Sequence, residues 1–157
     1  MRDLLYVFLF VLVSTPAAMA DGQIEAEYRQ SVMKSIGGHM SSMVTILKNQ
    51  VHIQDLSLHA QGIAALADVA PKVFPEGSDI KKSRALPDIW EDRAAFDEAM
   101  NRFVSAAKEM PGAAASGEMS QIGPALSKLG KTCKGCHDNY KSELLVSGRA
   151  TQTYFTR

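Results

Sequence analysis

Cys133-Lys134-Gly135-Cys136-His137 is the stretch on which the reading of this chain turns. Cys-x-x-Cys-His is the pattern that attaches a c-type haem covalently. On a helix, positions i, i+3 and i+4 share one face, so Cys133, Cys136 and His137 can all address one porphyrin. The two thiols add across the vinyl groups as thioethers, and the adjoining imidazole supplies the proximal iron ligand. The expected cofactor is therefore one covalent haem c, anchored at Cys133 and Cys136 with His137 on the metal. Other readings of the pair lack parts. A zinc site would need one or two further ligands at suitable spacing, and only His39, His52 and His59 remain. A thioredoxin-type pair sits in a βαβ pattern, and no segment reads as a strand. A chance disulfide would have to explain why the only two cysteines of the chain fall inside one pentapeptide.

Upstream, the N-terminus reads as an export signal. Arg2 opens it, Leu4 to Val13 is an apolar core, and Ala18-Met19-Ala20 offers small residues before a cut ahead of Asp21. The apolar run is too short for a span of about 20 residues, so no membrane anchor is expected. Residues 1–20 are assigned to the signal peptide, cleaved after Ala20, and residues 21–157 to a single domain in the periplasm. Lys plus Arg and Asp plus Glu each number 17, which leaves no broad positive field for nucleic acid or a lipid surface.

Between leader and motif the apolar residues recur at threes and fours. Met33, Ile36, Met40, Met43 and Leu47 predict a first helix over Ile24 to Lys48. Leu56, Ile63, Leu66 and Val69 predict a second from Gln54 to Ala70, stopped by Pro71. Residues 71–89 carry Pro71, Pro75, Gly77 and Pro87 and read as a long irregular connection. Phe96, Met100, Phe103, Val104 and Ala107 predict a third helix from Glu91 to Met110, ended by Pro111-Gly112, with Ala113-Ala114-Ala115 as the approach to a turn. A fourth starts between Ser116 and Pro124 and carries the haem motif to Leu145; residues 146–157 read as a polar tail. The fold class is all-α, an antiparallel four-helix bundle with covalent haem on its C-terminal helix. Trp90, after a proline-limited loop, is placed to close the open end of the bundle near the haem edge.

A haem motif this late in an all-helical exported domain resembles the cytochrome c-prime family, class II of the c-type cytochromes. The likeness extends over residues 24–141 through Tyr28-Arg29-Gln30-Ser31 with Gly37-Gly38-His39-Met40, Phe74-Pro75-Glu76-Gly77, Pro87-Asp88-Ile89-Trp90 and Leu129-Gly130-Lys131-Thr132. It implies that Arg29 and Gln30 lie near a haem propionate. It also implies that the residue four after that arginine, Met33, covers the sixth position of iron, as in the low-spin methionine-ligated cytochrome c-556 branch. Met40 and His39 are the rival ligands on helix one. Lys141 stands where relatives carry arginine, keeping the charge and losing the planar fork. Gly130 and Gly135 are expected where backbone approaches porphyrin.

Those residues predict a one-electron carrier with His137 and Met33 on iron, exchanging electrons with weakly bound donor and acceptor proteins. The alternative is a five-coordinate haem protein that binds nitric oxide or carbon monoxide. Enzymatic chemistry is not expected beyond weak peroxidase activity after Met33 dissociates, because no carboxylate dyad, phosphate loop or nucleophile with a base occurs at recognisable spacing. Relatives of this kind pair through their first two helices, so the resemblance admits a homodimer there.

Overall fold

The computed structural model describes residues 17–80 and 83–143. Four long helices carry the fold: α1 Ala17–Asn49, α2 Leu56–Ala67, α4 Arg93–Ser116 and α5 Met119–Tyr140, with a single turn, α3 Asp88–Glu91, ahead of α4. They form the antiparallel four-helix bundle expected, with no strand among the described residues beyond one isolated bridge, Ala85 to Lys141. Helix α1 packs on α2, α2 on α4, and α4 on α5. The seam is filled by Ile36, Met43, Leu56, Ile63, Phe96, Phe103, Met110, Ile122 and Leu129, all buried. These are the apolar positions spaced at threes and fours, so the periodicity identifies the packed faces.

The helix ends differ from expectation in instructive ways. Helix α1 begins at Ala17 rather than Ile24, because Ala17-Ala18-Met19-Ala20 are strong helix formers and Gly22 leaves room for the carbonyl of Gly77 beside it. Helix α2 is shorter than Gln54 to Ala70, since its ends tighten into 3₁₀ turns at Ile53–Asp55 and Ala70–Val73, the latter holding Pro71. Pro111-Gly112 does not end α4, which runs on to Ser116. One lost backbone bond is outweighed by the helix-forming alanines 113–115 that follow, so this stretch is helix rather than turn. The stop is Gly117, at φ 70°, whose N–H donates to the carbonyl of Ala114. Helix α5 starts at Met119, within the expected interval from Ser116 to Pro124, and carries Pro124 in its second turn.

Helix α5 ends at Tyr140, not Leu145, because Lys141 is extended and is stitched to the loop before α3. Leu86 N–H donates to the Tyr140 carbonyl at 3.0 Å and Ser142 N–H to the Arg84 carbonyl at 2.8 Å. Arg84 answers with two bonds from Nε and Nη2 to the Ser142 carbonyl. The expected leader residues 1–16 and the polar tail, including Tyr154 and Phe155, lie outside the described residues. No helix among the described residues is long and apolar enough to cross a membrane.

Candidate functional site

Helix α5 sets the first three site residues. Cys133, Cys136 and His137 occupy one face of it, and both cysteines are free thiols, half-buried. Before attachment of haem, burial pushes both thiols up from their ordinary value. Cys133 packs against the core. Cys136 and His137 open into a cavity of about 270 Å³ lined by α1, the α2–α3 connection, α4 and the end of α5. The His137 ring is accessible because it stands at the cavity mouth, yet the surrounding protein, then the positive charges of Lys141 and Arg84, lower its basicity against the opposing pull of Asp138. A neutral imidazole keeps a lone pair for a metal.

Met33 lines the same cavity, on the α1 wall, with Gln30 beside it. The other walls are apolar: Phe74, Ala85, Ile89, Phe96 and Met100. Phe74 meets Phe96 edge-on at 4.8 Å between ring centres, and Phe96 meets Tyr140 at 5.2 Å, so one aromatic ladder joins the loop to the haem helix. The rival ligands do not enter. Met40 is not part of the cavity wall; it lies over Gly130, where an added Cβ would meet the Met40 methyl at an ordinary contact distance of 3.4 Å. His39 pairs with His59 of α2. Gly135 faces a separate groove between α4 and α5, with Cys136 on the rim common to both spaces.

Arg29 lines the cavity too, but its guanidinium is turned mainly to the α2–α3 connection. Only 4% exposed, it donates from Nη1 to the Val73 carbonyl at 3.1 Å and to Ser78 Oγ at 2.7 Å, and from Nη2 to the Ser78 carbonyl at 2.8 Å and Ser83 Oγ at 2.9 Å. All four Nη hydrogens thus have acceptors, leaving Nε–H as the one donor free for a carboxylate. Its plane stacks near Phe74 and Trp90, at 5.1 and 5.6 Å to the ring centres. Trp90 is absent from the cavity wall: its indole N–H donates to the Pro75 carbonyl at 3.0 Å, bracing the same loop. Sequence reasoning missed Met100, read only as core, and the cations Lys34 and Arg84 at the cavity edge.

The pieces suit a porphyrin: thiols one helical turn apart, an imidazole beside them, an apolar aromatic slot and cations near its edge, with no carboxylate in the wall. They define a haem-bearing four-helix bundle of the c type, in which iron and its macrocycle supply the redox and ligand-binding chemistry while the chain supplies attachment, one axial nitrogen and the surrounding dielectric. The sequence pattern described as Cytochrome C' matches residues 25–141. The chain belongs to the cytochrome c' family and binds covalent haem c. It is 36% identical to cytochrome c' of Pararhodospirillum photometricum over 124 residues, 78% of this chain and 99% of the relative. Cytochrome c-556 of Agrobacterium tumefaciens is 32% identical, over 74% of this chain and 96% of its own length. Among solved structures, cytochrome c prime from Shewanella frigidimarina superposes with a TM-score of 0.72 at 35% identity, covering 80% of this chain and 97% of that one. A ferrous variant of the Alcaligenes xylosoxidans protein with bound NO gives 0.72 at 25% identity, covering 78% and 96%.

Proposed function

We propose that this protein is a haem c protein whose iron, held by Cys133, Cys136 and His137, keeps its sixth position for a small neutral gas, nitric oxide or carbon monoxide. The observation that carries this reading is the cavity beside His137, walled by Met33, Phe74, Ile89, Phe96 and Met100 with no carboxylate among its lining residues. The apolar part of this wall favours an uncharged diatomic, and no carboxylate among the described lining residues is placed to act as a peroxidase acid or base. The nitric oxide complex of the Alcaligenes neighbour supports the same choice over the electron carrier expected from the sequence.

The carrier reading retains one specific support: Met33 lines the same cavity as His137, and a c-556 protein is among the relatives. In that reading the Met33 thioether is the sixth ligand, raising the potential, and donor and acceptor proteins dock weakly. Under either reading, a cleaved leader of residues 1–20 delivers the chain to the periplasm. The exposed apolar side chains of Ile24, Tyr28, Val44 and Leu58 on α1 and α2 support a homodimer through those helices.

Optical spectra of wild type and Met33→Leu, oxidised, reduced and reduced under carbon monoxide, separate the two. The substitution nearly preserves volume, so its packing cost should stay below about 1.5 kcal/mol. The expected result is a high-spin wild type that binds carbon monoxide and a variant with the same spin state. A low-spin wild type that turns high-spin in the variant would overturn gas binding and establish Met33 as the ligand.

A further inference from the structure

Away from the haem cavity, His39 of α1 and His59 of α2 meet across the helix crossing with their Nδ1 atoms 3.0 Å apart and their rings edge to face at 5.3 Å. The placement is built in. Gly62, one turn beyond His59, provides the bed for the His39 ring: a Cβ there would stand 2.5 Å from Cε1 and 2.6 Å from Nε2 of His39. Any other residue at Gly62 would push the ring aside, so the glycine seats His39 with Nδ1 turned to its partner. On the other side, His59 borders a surface hollow of about 400 Å³ together with Ser42, His52 and Asp55. Both histidines are half-buried, and neither belongs to the haem cavity.

We propose that His39 and His59 form a two-imidazole site for a divalent transition metal, Cu(II) foremost. Metal–imidazole bonds are about 2.0–2.1 Å long, so two nitrogens 3.0 Å apart subtend roughly 90° at a shared metal. That is the cis angle of a tetragonal centre, the geometry of Cu(II) and Ni(II), and copper heads the affinity order. In the free protein one Nδ1–H donates to the other Nδ1; on binding, the donor ring carries its hydrogen on Nε2 instead, so both Nδ1 lone pairs face the metal with the rings neutral. No group of three or more potential His, Cys, Asp or Glu ligands lies together among the described residues, so solvent water would complete the shell. Such a site exchanges its metal readily, as befits a loosely held ion.

The test is Cu(II) titration of untagged, chelator-treated holoprotein, followed by calorimetry and by the nitrogen splitting of the copper electron paramagnetic resonance. One equivalent with two coupled nitrogens is expected. His39→Gln and His59→Gln should each weaken binding at least tenfold and leave one coupled nitrogen, whereas His52→Gln should change neither quantity. Gly62→Ala should weaken binding with both imidazoles present, and unchanged helical circular dichroism and haem absorbance show that the bundle is intact in each variant. Unaltered affinity in His39→Gln or His59→Gln, or a copper signal with fewer than two nitrogens in wild type, would overturn the site and leave the pair as an interhelical hydrogen bond.

Discussion

Arg29 offers the sharpest perturbation of this fold, because one buried side chain makes four bonds to the loop that walls the haem cavity. Its four Nη bonds reach acceptors 44 to 54 residues away, at Val73, Ser78 and Ser83. Hydrogen bonds to a charged group are each worth about 1.5–3 kcal/mol, but the four act as a unit, and removing the side chain takes the cost of burying its charge away with it. Arg29→Ala should therefore cost about 3–5 kcal/mol rather than the simple sum. Arg29→Lys keeps the charge and places three donors on one nitrogen, so it cannot reproduce the two-pronged grip and should cost about 1.5–3 kcal/mol. Urea unfolding of the holoprotein measures both: with a slope of about 2 kcal/mol/M, the alanine variant should lose on the order of 2 M in midpoint. Ser78→Ala removes one acceptor together with the Ser78 hydroxyl's own bond to the Pro75 carbonyl, so its cost should shrink in the Arg29→Ala background to that second bond alone. A loss below about 1 kcal/mol in Arg29→Ala, or full additivity with Ser78→Ala, would refute the clamp.

Replacing Cys133 and Cys136 together with alanine should leave haem extractable by acidified organic solvent; haem that stays bound through that extraction would contradict the attachment motif. His137→Ala should change the oxidised and reduced absorption spectra outright, since no other histidine borders the cavity to replace it. Asp92 caps α4 by accepting from the Ala95 N–H at 3.1 Å, so Asp92→Ala should lower stability by about 1 kcal/mol in urea unfolding while Asp92→Ser restores most of it.

The helices and the haem motif were legible because both are local signals. A stripe such as Met33, Ile36, Met40 and Met43 needs only the helical period, and Cys133 to His137 needs only five consecutive residues. Pro111 misled for a physical reason: a single-residue rule counts one missing N–H and ignores the helix-forming neighbours on either side. What stayed hidden is what depends on chain segments far apart. The acceptors of Arg29 lie in a loop with no regular pattern, Met100 reads as ordinary core until the cavity behind it is seen, and the bridge between Ala85 and Lys141 has no strand signature. Gly62 carried a signal, a glycine within a helix, but sequence alone does not say that the ring of His39 fills the space beside it.

The clamp also changes how the porphyrin edge must be held. With every Nη hydrogen of Arg29 engaged in the loop, a propionate can approach that side chain only through Nε, and Trp90 braces the same clamp rather than the cavity wall. Among the described residues, the cations that remain at the cavity edge are Lys34 on α1, Arg84 in the loop and Lys141 just past the end of α5. Two of these, Arg84 and Lys141, are themselves tied to the stitch that closes the loop onto α5. Carboxylates placed among them would neutralise the charges of Lys141 and Arg84 that, after burial, lower the basicity of His137, so the loop and this imidazole are electrostatically linked. Lys141 is the hinge of that link: a compact ammonium there, in place of a planar guanidinium, leaves the backbone bridge to Ala85 intact while acting on His137 through charge alone.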